Sequence, residues 1–260
     1  MKRTMFNLLL LLLAIALSAC ATIGQAAPAS PSSTQGASSG ATTNEPINDS
    51  PFIYILPEPA TDGTVSVEAA LANRRSHRHF QDTPLTTAQL SQILWAAYGI
   101  TSPMPDRPSL RGGLRTTPSA GALYPLEIYV IVGNVEGLEP GVYRYISEDH
   151  TLERVIYGDI RAELTEAALR QRMVRDAPIT LFYSAVFSRM TPRYGERGIL
   201  YTYIEVGHSA QNVYLQAEAL GLGTVAIGAF IDEHVREILN LPEDQEPLYL
   251  MPIGYYYMYP

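Results

Sequence analysis

Three arginines and two histidines crowd into Arg74-Arg75-Ser76-His77-Arg78-His79-Phe80, in a chain whose net charge is −8 at pH 7. Side chains alternate along extended backbone. Arg74, Ser76 and Arg78 then point one way, with Arg75 and His77 opposite. Two planar guanidinium forks flanking a hydroxyl match the oxygens of a phosphate. The spacing therefore points to an anion site; a solvated basic turn is the plain alternative. His77 and His79 suggest a metal pair, but no cysteine or carboxylate set accompanies them, and no metal site is expected.

Four further groups carry chemistry. Pro118-Ser119-Ala120-Gly121-Ala122 is a run of small residues before an apolar stretch, where a backbone or a flat ring can come close. Arg193-Tyr194-Gly195 lies at the centre of the polar segment 188–198. Glu205, His208 and Asn212 fall on one side of a helix and need partners wherever they are buried. Gly228 interrupts Thr224-Val225-Ala226-Ile227-Gly228-Ala229-Phe230, a place for close approach of a backbone or ligand.

The element that must position these groups runs from Leu200 to Leu222. Leu200, Ile204, Gly207, Ala210, Val213, Ala217 and Leu220 recur at the helical period. The stripe beside them, from Tyr201 through Glu205 and His208 to Leu222, is also weakly charged. A central helix covered on most of its circumference is expected. Gly221 and Gly223 stop it, and a buried strand follows. The string GLGTVA fits a dinucleotide fingerprint, but that motif must follow a strand and open a helix. Here it closes a helix, so it is rejected.

Around this centre, 52–56 reads as a strand or arm. Residues 65–73 read as a helix with Val67, Ala70 and Leu71 inward and Ser66 as its cap. Thr86 caps a helix that Gly99 ends, with Leu90, Ile93, Leu94 and Ala97 inward. Residues 100–118 read as a proline-rich loop. Residues 127–132, 178–187 and 248–254 are apolar strands, 141–146 and 152–156 a hairpin, and 161–172 and 232–239 helices. The expected class is α+β, a central mixed sheet flanked by helices.

The chain opens with Lys2 and Arg3, an apolar run over 8–17, and Leu17-Ser18-Ala19-Cys20. The run is too short to span a bilayer, which needs roughly 20 residues. Basic start, apolar core and small residues describe a secretory signal over 1–19. Cys20, the sole cysteine, stands where a bacterial lipoprotein carries its lipid. Residues 20–50, almost uncharged Ala, Ser, Thr and Pro, read as a tether that cannot bury enough surface to fold. Residues 51–260 fit one domain. The expectation is an exported protein anchored to the membrane by lipid; its acidic balance argues against nucleic acid.

Taken together, RRSHRHF (74–80), PSAGALYPLEIYV (118–130), RYGERG (193–198), the 204–230 stretch and MPIG (251–254) resemble the FMN-dependent nitroreductase family, in its branch of SagB-type, azoline oxidase-like dehydrogenases. The resemblance implies a flavoprotein homodimer with FMN at the subunit interface and the long helix against its partner. It assigns Arg74, Ser76 and Arg78, with Arg75 nearby, to the FMN phosphate and ribityl chain. Pro118, Ser119, Ala120 and Gly121 would lie along the flavin. Gly228 and Ala229 would turn backbone N–H groups toward its N5, tuning the ring. The branch's Lys-Tyr pair for proton transfer is Arg193-Tyr194 here, and arginine is no base at ordinary pH. The family's basic C-terminal phosphate ligands are replaced by Tyr255-Tyr256-Tyr257-Met258-Tyr259-Pro260, which leaves the 74–78 cluster, with Arg111 or Arg115, to hold the phosphate. The implied activity is two-electron oxidoreduction of a small-molecule or peptide substrate. An NAD(P)H-dependent nitro- or quinone reductase and a non-catalytic flavin-binding lipoprotein are the alternatives.

Overall fold

The computed structural model describes residues 52–257; the expected signal, Cys20 and the whole of the expected tether lie outside them. The strands are β1 (Ile53–Ile55), β2 (Ile100–Pro103), β3 (Gly113–Arg115), β4 (Leu126–Val132), β5 (Gly141–Ile146), β6 (Thr151–Tyr157), β7 (Ile179–Ala185), β8 (Gly223–Thr224) and β9 (Glu246–Gly254). The helices are α1 (Val67–Asn73), α2 (Thr87–Tyr98), α3 (Arg161–Ala167), α4 (Met173–Asp176), α5 (Thr191–Tyr194), α6 (Arg197–Ala219) and α7 (Asp232–Ile238).

A seven-stranded sheet in the order β1-β6-β5-β4-β7-β9-β8 forms the middle layer. All its ladders are antiparallel, so the expected mixed sheet is corrected. Among the described residues, parallel pairing is confined to isolated bridges such as Ser76 with Thr224. The α+β class stands. β4 shows why the sheet is central: Leu126, Ile128, Val130 and Val132 enter one core and Tyr129 and Ile131 the other. Period-two alternation with both faces apolar is what a strand covered on both sides requires. α2 and α6 cover the first face, and α3, α4 and α7 the second.

Thr86 caps α2 through a complete capping box with Gln89, which satisfies two otherwise orphaned donors. Gly99 ends the helix, its N–H bonded to the Trp95 carbonyl at 2.7 Å. Ser66 caps α1, but only Ala70 of its expected inner side is buried; Val67 and Leu71 face out at 64% and 54% exposure. The expected loop at 100–118 contains the β2–β3 pair. The expected strand at 224–230 shrinks to β8 plus one bridge from Ile227 to Leu250.

α6 runs 23 residues, about 34 Å at 1.5 Å per residue. Its buried side is Thr202, Glu205, Val206, Ser209, Ala210, Val213 and Ala217. Leu200 and Ile204, expected inward, stand 47% exposed, with Tyr203 at 52%. Gly221 takes φ +69 and lets Leu222 bond back to the Ala217 carbonyl at 2.8 Å. The rejected fingerprint does close a helix.

Candidate functional site

Two groups of the expected residues gather on α6, at different heights. The first surrounds Tyr214. Its ring lies under the Arg74 guanidinium at 5.1 Å, and its hydroxyl is 3.1 Å from Ser76 Oγ. The same hydroxyl accepts the Ala226 N–H at 2.8 Å. Ser76 pairs with Thr224, and the His77 N–H reaches the Thr224 carbonyl at 3.0 Å. One tyrosine therefore fastens the 74–78 strip to the segment after β8. Arg74 and Ser76 share Tyr214 as expected, while Arg75 turns back onto the Ala72 and Arg74 carbonyls at 3.0 and 2.8 Å. His77 stacks on Tyr256 at 3.6 Å; burial is the main cause that lowers its pKa. Arg78 is exposed and lines a cleft of about 170 Å³ with Ser76, His77, His79 and Tyr257.

Gly228 and Ala229 belong to this group. Ala226 is held by Tyr214 and Ile227 by paired bonds to Leu250 at 2.8 and 2.9 Å. The two residues beyond are exposed, and the Ala229 carbonyl accepts from Gln171 at 2.8 Å. Their backbone is thus presented outward from a firmly tied segment.

The second group gathers near the start of α6. Pro118 leads into a single turn, Ala120–Ala122, with Gly121 at φ +65. The Ser119 hydroxyl accepts the Tyr124 N–H at 2.9 Å, and the Ala122 N–H bonds the Ser119 carbonyl at 3.0 Å. Arg193 and Tyr194 come down on this turn. A Cβ at Gly121 would stand 2.6 Å from the Tyr194 hydroxyl and 3.0 Å from the Arg193 guanidinium. Both the left-handed backbone and that approach favour glycine here. The Arg193 guanidinium lies 5.3 Å from the Tyr194 ring centre, and Tyr194 packs edge-on to Tyr201 at 5.2 Å.

Glu205 lies beneath the same turn, 1% exposed. It accepts the Tyr98 hydroxyl, and burial raises its carboxyl to about 7; Ser119, Tyr98 and the charge of Arg115 pull the other way. Asn212 donates to the Thr116 carbonyl and Thr117 hydroxyl at 3.2 and 3.1 Å. His208, grouped with these two by sequence, is exposed. Arg111 and Arg115 are not free for a phosphate. Arg111 pairs with Glu127 and Arg115 with Glu148, at 3.1 and 3.2 Å, and the Arg115 side chain is 2% exposed. Sequence reasoning missed Tyr214 and Tyr98, because an aromatic at helical spacing reads as ordinary core.

A cationic strip tied to an outward-facing glycine segment, with a small-residue turn under a tyrosine, is the same set of parts that the motifs suggested. The family profile of the nitroreductases matches residues 71–255. The chain belongs to the nitroreductase family. A protein of Methanocaldococcus jannaschii assigned as a nitroreductase is 50% identical over 190 residues, 73% of this chain and 91% of its own. The microcin B17-processing protein McbC of Escherichia coli is 29% identical over 149 residues, 54% of this chain and 52% of its own. Among solved structures, a nitroreductase-like protein of Ralstonia eutropha is 30% identical with a TM-score of 0.65, covering 80% of this chain and 90% of that one. The NADPH:FMN oxidoreductase of Vibrio harveyi shares the fold at 23% identity and a TM-score of 0.52, over 74% and 69%. Nitroreductase-family proteins are oxidoreductases and typically bind FMN. Among the described residues, no helix is long and apolar enough to cross a membrane.

Proposed function

We propose that this nitroreductase-family chain is an FMN-dependent oxidoreductase of SagB type, working on a small-molecule or peptide substrate as a lipid-anchored homodimer at the cell envelope. The observation that carries the reading is the placement of the two residue groups on α6. Glu205, beside Ser119, and Tyr214, beside Arg74, are nine residues apart, about 14 Å of helix rise. Each group alone is half a flavin site. Leu200, Tyr203 and Ile204 form an exposed apolar stripe on α6, and a two-fold interface places the same stripe on both subunits. Pairing through this stripe would bring the turn of one copy to the cationic strip of the other.

The residues fit the cofactor. Arg74, Ser76 and Arg78 supply charge-assisted donors for a phosphate, and Gly228 and Ala229 supply backbone at a ring edge. The 118–121 turn gives a flat, small-residue surface. Bound there, the flavin would supply two-electron transfer. Tyr194 would hold or accept a proton at its phenol oxygen, with the Arg193 guanidinium 5.3 Å from its ring centre. Outside the cytoplasm NAD(P)H is scarce, which favours oxidation of substrate. Anchoring rests on Leu17-Ser18-Ala19-Cys20; Cys20→Ala should leave protein that no longer fractionates with membranes.

Ile204→Asp tests the composite site. Ile204 is half exposed in the single chain, so a charge there should leave the fold intact and oppose pairing. The account expects a folded monomer without FMN. A monomer that keeps FMN contradicts it. One observation favours a second reading: Arg193 stands where the branch has lysine, which fits a flavin-binding protein without turnover. Oxygen consumption with candidate substrates separates the two.

A further inference from the structure

Glu127, the second residue of β4, has a side chain only 8% exposed. A single oxygen, Oε1, accepts from Arg111 Nη2 at 3.1 Å and from Arg189 Nη2 at 2.5 Å. Both guanidinium groups also donate to the Tyr124 carbonyl, at 2.9 and 3.3 Å. The four groups close a ring: two cations, one carboxylate and one backbone carbonyl.

That carbonyl ends the small-residue turn. Tyr124 has φ +49, after Ala122 at +53 and Gly121 at +65. A residue with a Cβ keeps a left-handed backbone only where its surroundings over-determine it. Both backbone polar groups of Tyr124 are held by side chains, the N–H by Ser119 Oγ at 2.9 Å and the carbonyl by the two arginines.

Arg189 makes the second connection. It ends a single turn, Phe187–Arg189, and the next residue, Met190, is fully buried. The Met190 carbonyl accepts the Arg193 and Tyr194 N–H groups at 3.2 and 3.0 Å. From Arg189 to Tyr194 the chain is thus one run of hydrogen-bonded turns. Where Arg189 sits decides where α5 begins, and with it the Tyr194 hydroxyl, 2.6 Å from where a Gly121 Cβ would stand. One carboxylate therefore holds both sides of the contact between the turn and Tyr194. Two guanidinium groups on one carbonyl repel each other, and the shared carboxylate offsets that repulsion. Without it a charge is left unpaired in a poorly solvated place. At least one arginine must then turn to water, which frees the Tyr124 peptide, the start of α5, or both.

We propose that Glu127 is a positioning residue: through Arg111 and Arg189 it sets the spacing between the Gly121 turn and the Tyr194 hydroxyl. The spacing belongs to the folded chain, and the proposal rests on the flavin reading only for its rate arm.

The test uses the full-length protein. The nuclear Overhauser contact between the Gly121 α-protons and the Tyr194 ring is read without flavin in wild type, Glu127→Gln and Glu148→Gln. Glu148→Gln breaks the neighbouring pairs to Arg115 and to Arg111 Nε and leaves Glu127 in place, so it controls for general loosening. Wild type and Glu148→Gln should show the contact, and Glu127→Gln should lose it. Arg189→Met, at a side chain 27% exposed, should lose it too, and decides the matter if Glu127→Gln does not fold. A contact that persists in these variants, or that is lost equally in Glu148→Gln, overturns the proposal. The rate arm follows reoxidation of photoreduced, FMN-loaded protein by 1,4-benzoquinone, which takes up two electrons and two protons to become the hydroquinone. Glu127→Gln should slow it about 10²-fold, the scale for a misplacement of about 1 Å, and should add nothing in a Tyr194→Phe background. Losses that add in full overturn the proposal, as does a wild-type rate in Glu127→Gln beside a slowed Tyr194→Phe. If the protein takes up no FMN, or Tyr194→Phe alone keeps the wild-type rate, the flavin or proton-transfer reading fails, and the Gly121–Tyr194 contact decides this proposal by itself.

Discussion

Tyr214 joins the cationic strip to the outward-facing glycine segment, and removing its hydroxyl tests that join. Tyr214→Phe keeps the ring, and with it the Arg74 contact at 5.1 Å. It strips the acceptor from the Ala226 N–H and the partner from Ser76 Oγ. A buried amide left without a partner costs about 1–3 kcal/mol, and the lower half applies because this one is only partly buried. Losing an ordinary hydrogen bond to Ser76 adds about 0.5–1 kcal/mol. The fold should therefore lose about 1.5–3 kcal/mol, read as a lower urea midpoint at unchanged slope. Slack between the strip and residues 226–229 should weaken FMN about tenfold, equal to about 1.4 kcal/mol. Tyr214→Leu also removes the cation–π contact and should cost a further ~0.5–1 kcal/mol. Tyr214→Phe with wild-type stability and wild-type FMN affinity would show that the tyrosine only fills space, and the strip and glycine segment would lose their common support.

Arg74→Ala or Arg78→Ala should each weaken FMN by about 1.5–3 kcal/mol, the range for a hydrogen bond to a charged group. Riboflavin affinity should hold; equal losses for both ligands would mean a folding defect. Tyr194→Phe should leave FMN bound and slow flavin reduction by the true substrate at least ~10²-fold, the lower bound for a general acid or base; an unchanged rate removes Tyr194 from the chemistry. Glu205 makes the flavin-free fold pH-dependent. Its folded value of about 7 lies above the ordinary 4.5, so the native state keeps a proton that the unfolded state loses. Its contribution is complete below 4.5, falls between 4.5 and 7, and is gone above 7. At about 1.36 kcal/mol per unit the loss is at most ~3 kcal/mol, and urea midpoints of Glu205→Gln should lack that slope.

The parts of the fold that sequence makes legible are those where one physical rule acts alone. β4 alternates strictly because both its faces are covered, and α2 announces its start through the Thr86–Gln89 box. α6 was harder. Its buried side includes Thr202, Glu205 and Ser209, and its exposed side includes Leu200 and Ile204. Polarity therefore does not give the helix its phase. The helix offers apolar surface outward and spends internal hydroxyls on bonds, such as Ser209 to the Ala97 carbonyl at 2.7 Å. β2 and β3 hid among prolines and glycines because a short edge pair needs no apolar run. At the site, the arginine strip was legible from charge clustering, and the shared side of Arg74 and Ser76 from extended geometry. The joining tyrosines were not, since only the fold shows that Tyr214 meets Ala226 or that Tyr98 meets Glu205. Nor was the closeness of Gly121 to Tyr194, which only the fold brings together.

The central claim is a flavin site completed by two copies of the chain. The most direct test is the visible spectrum of the purified full-length protein, incubated with FMN and freed of excess, with its mass in solution. The account predicts a yellow protein with one FMN per chain and twice the chain mass. A colourless protein that takes up no FMN, or a yellow one with the mass of a single chain, contradicts it.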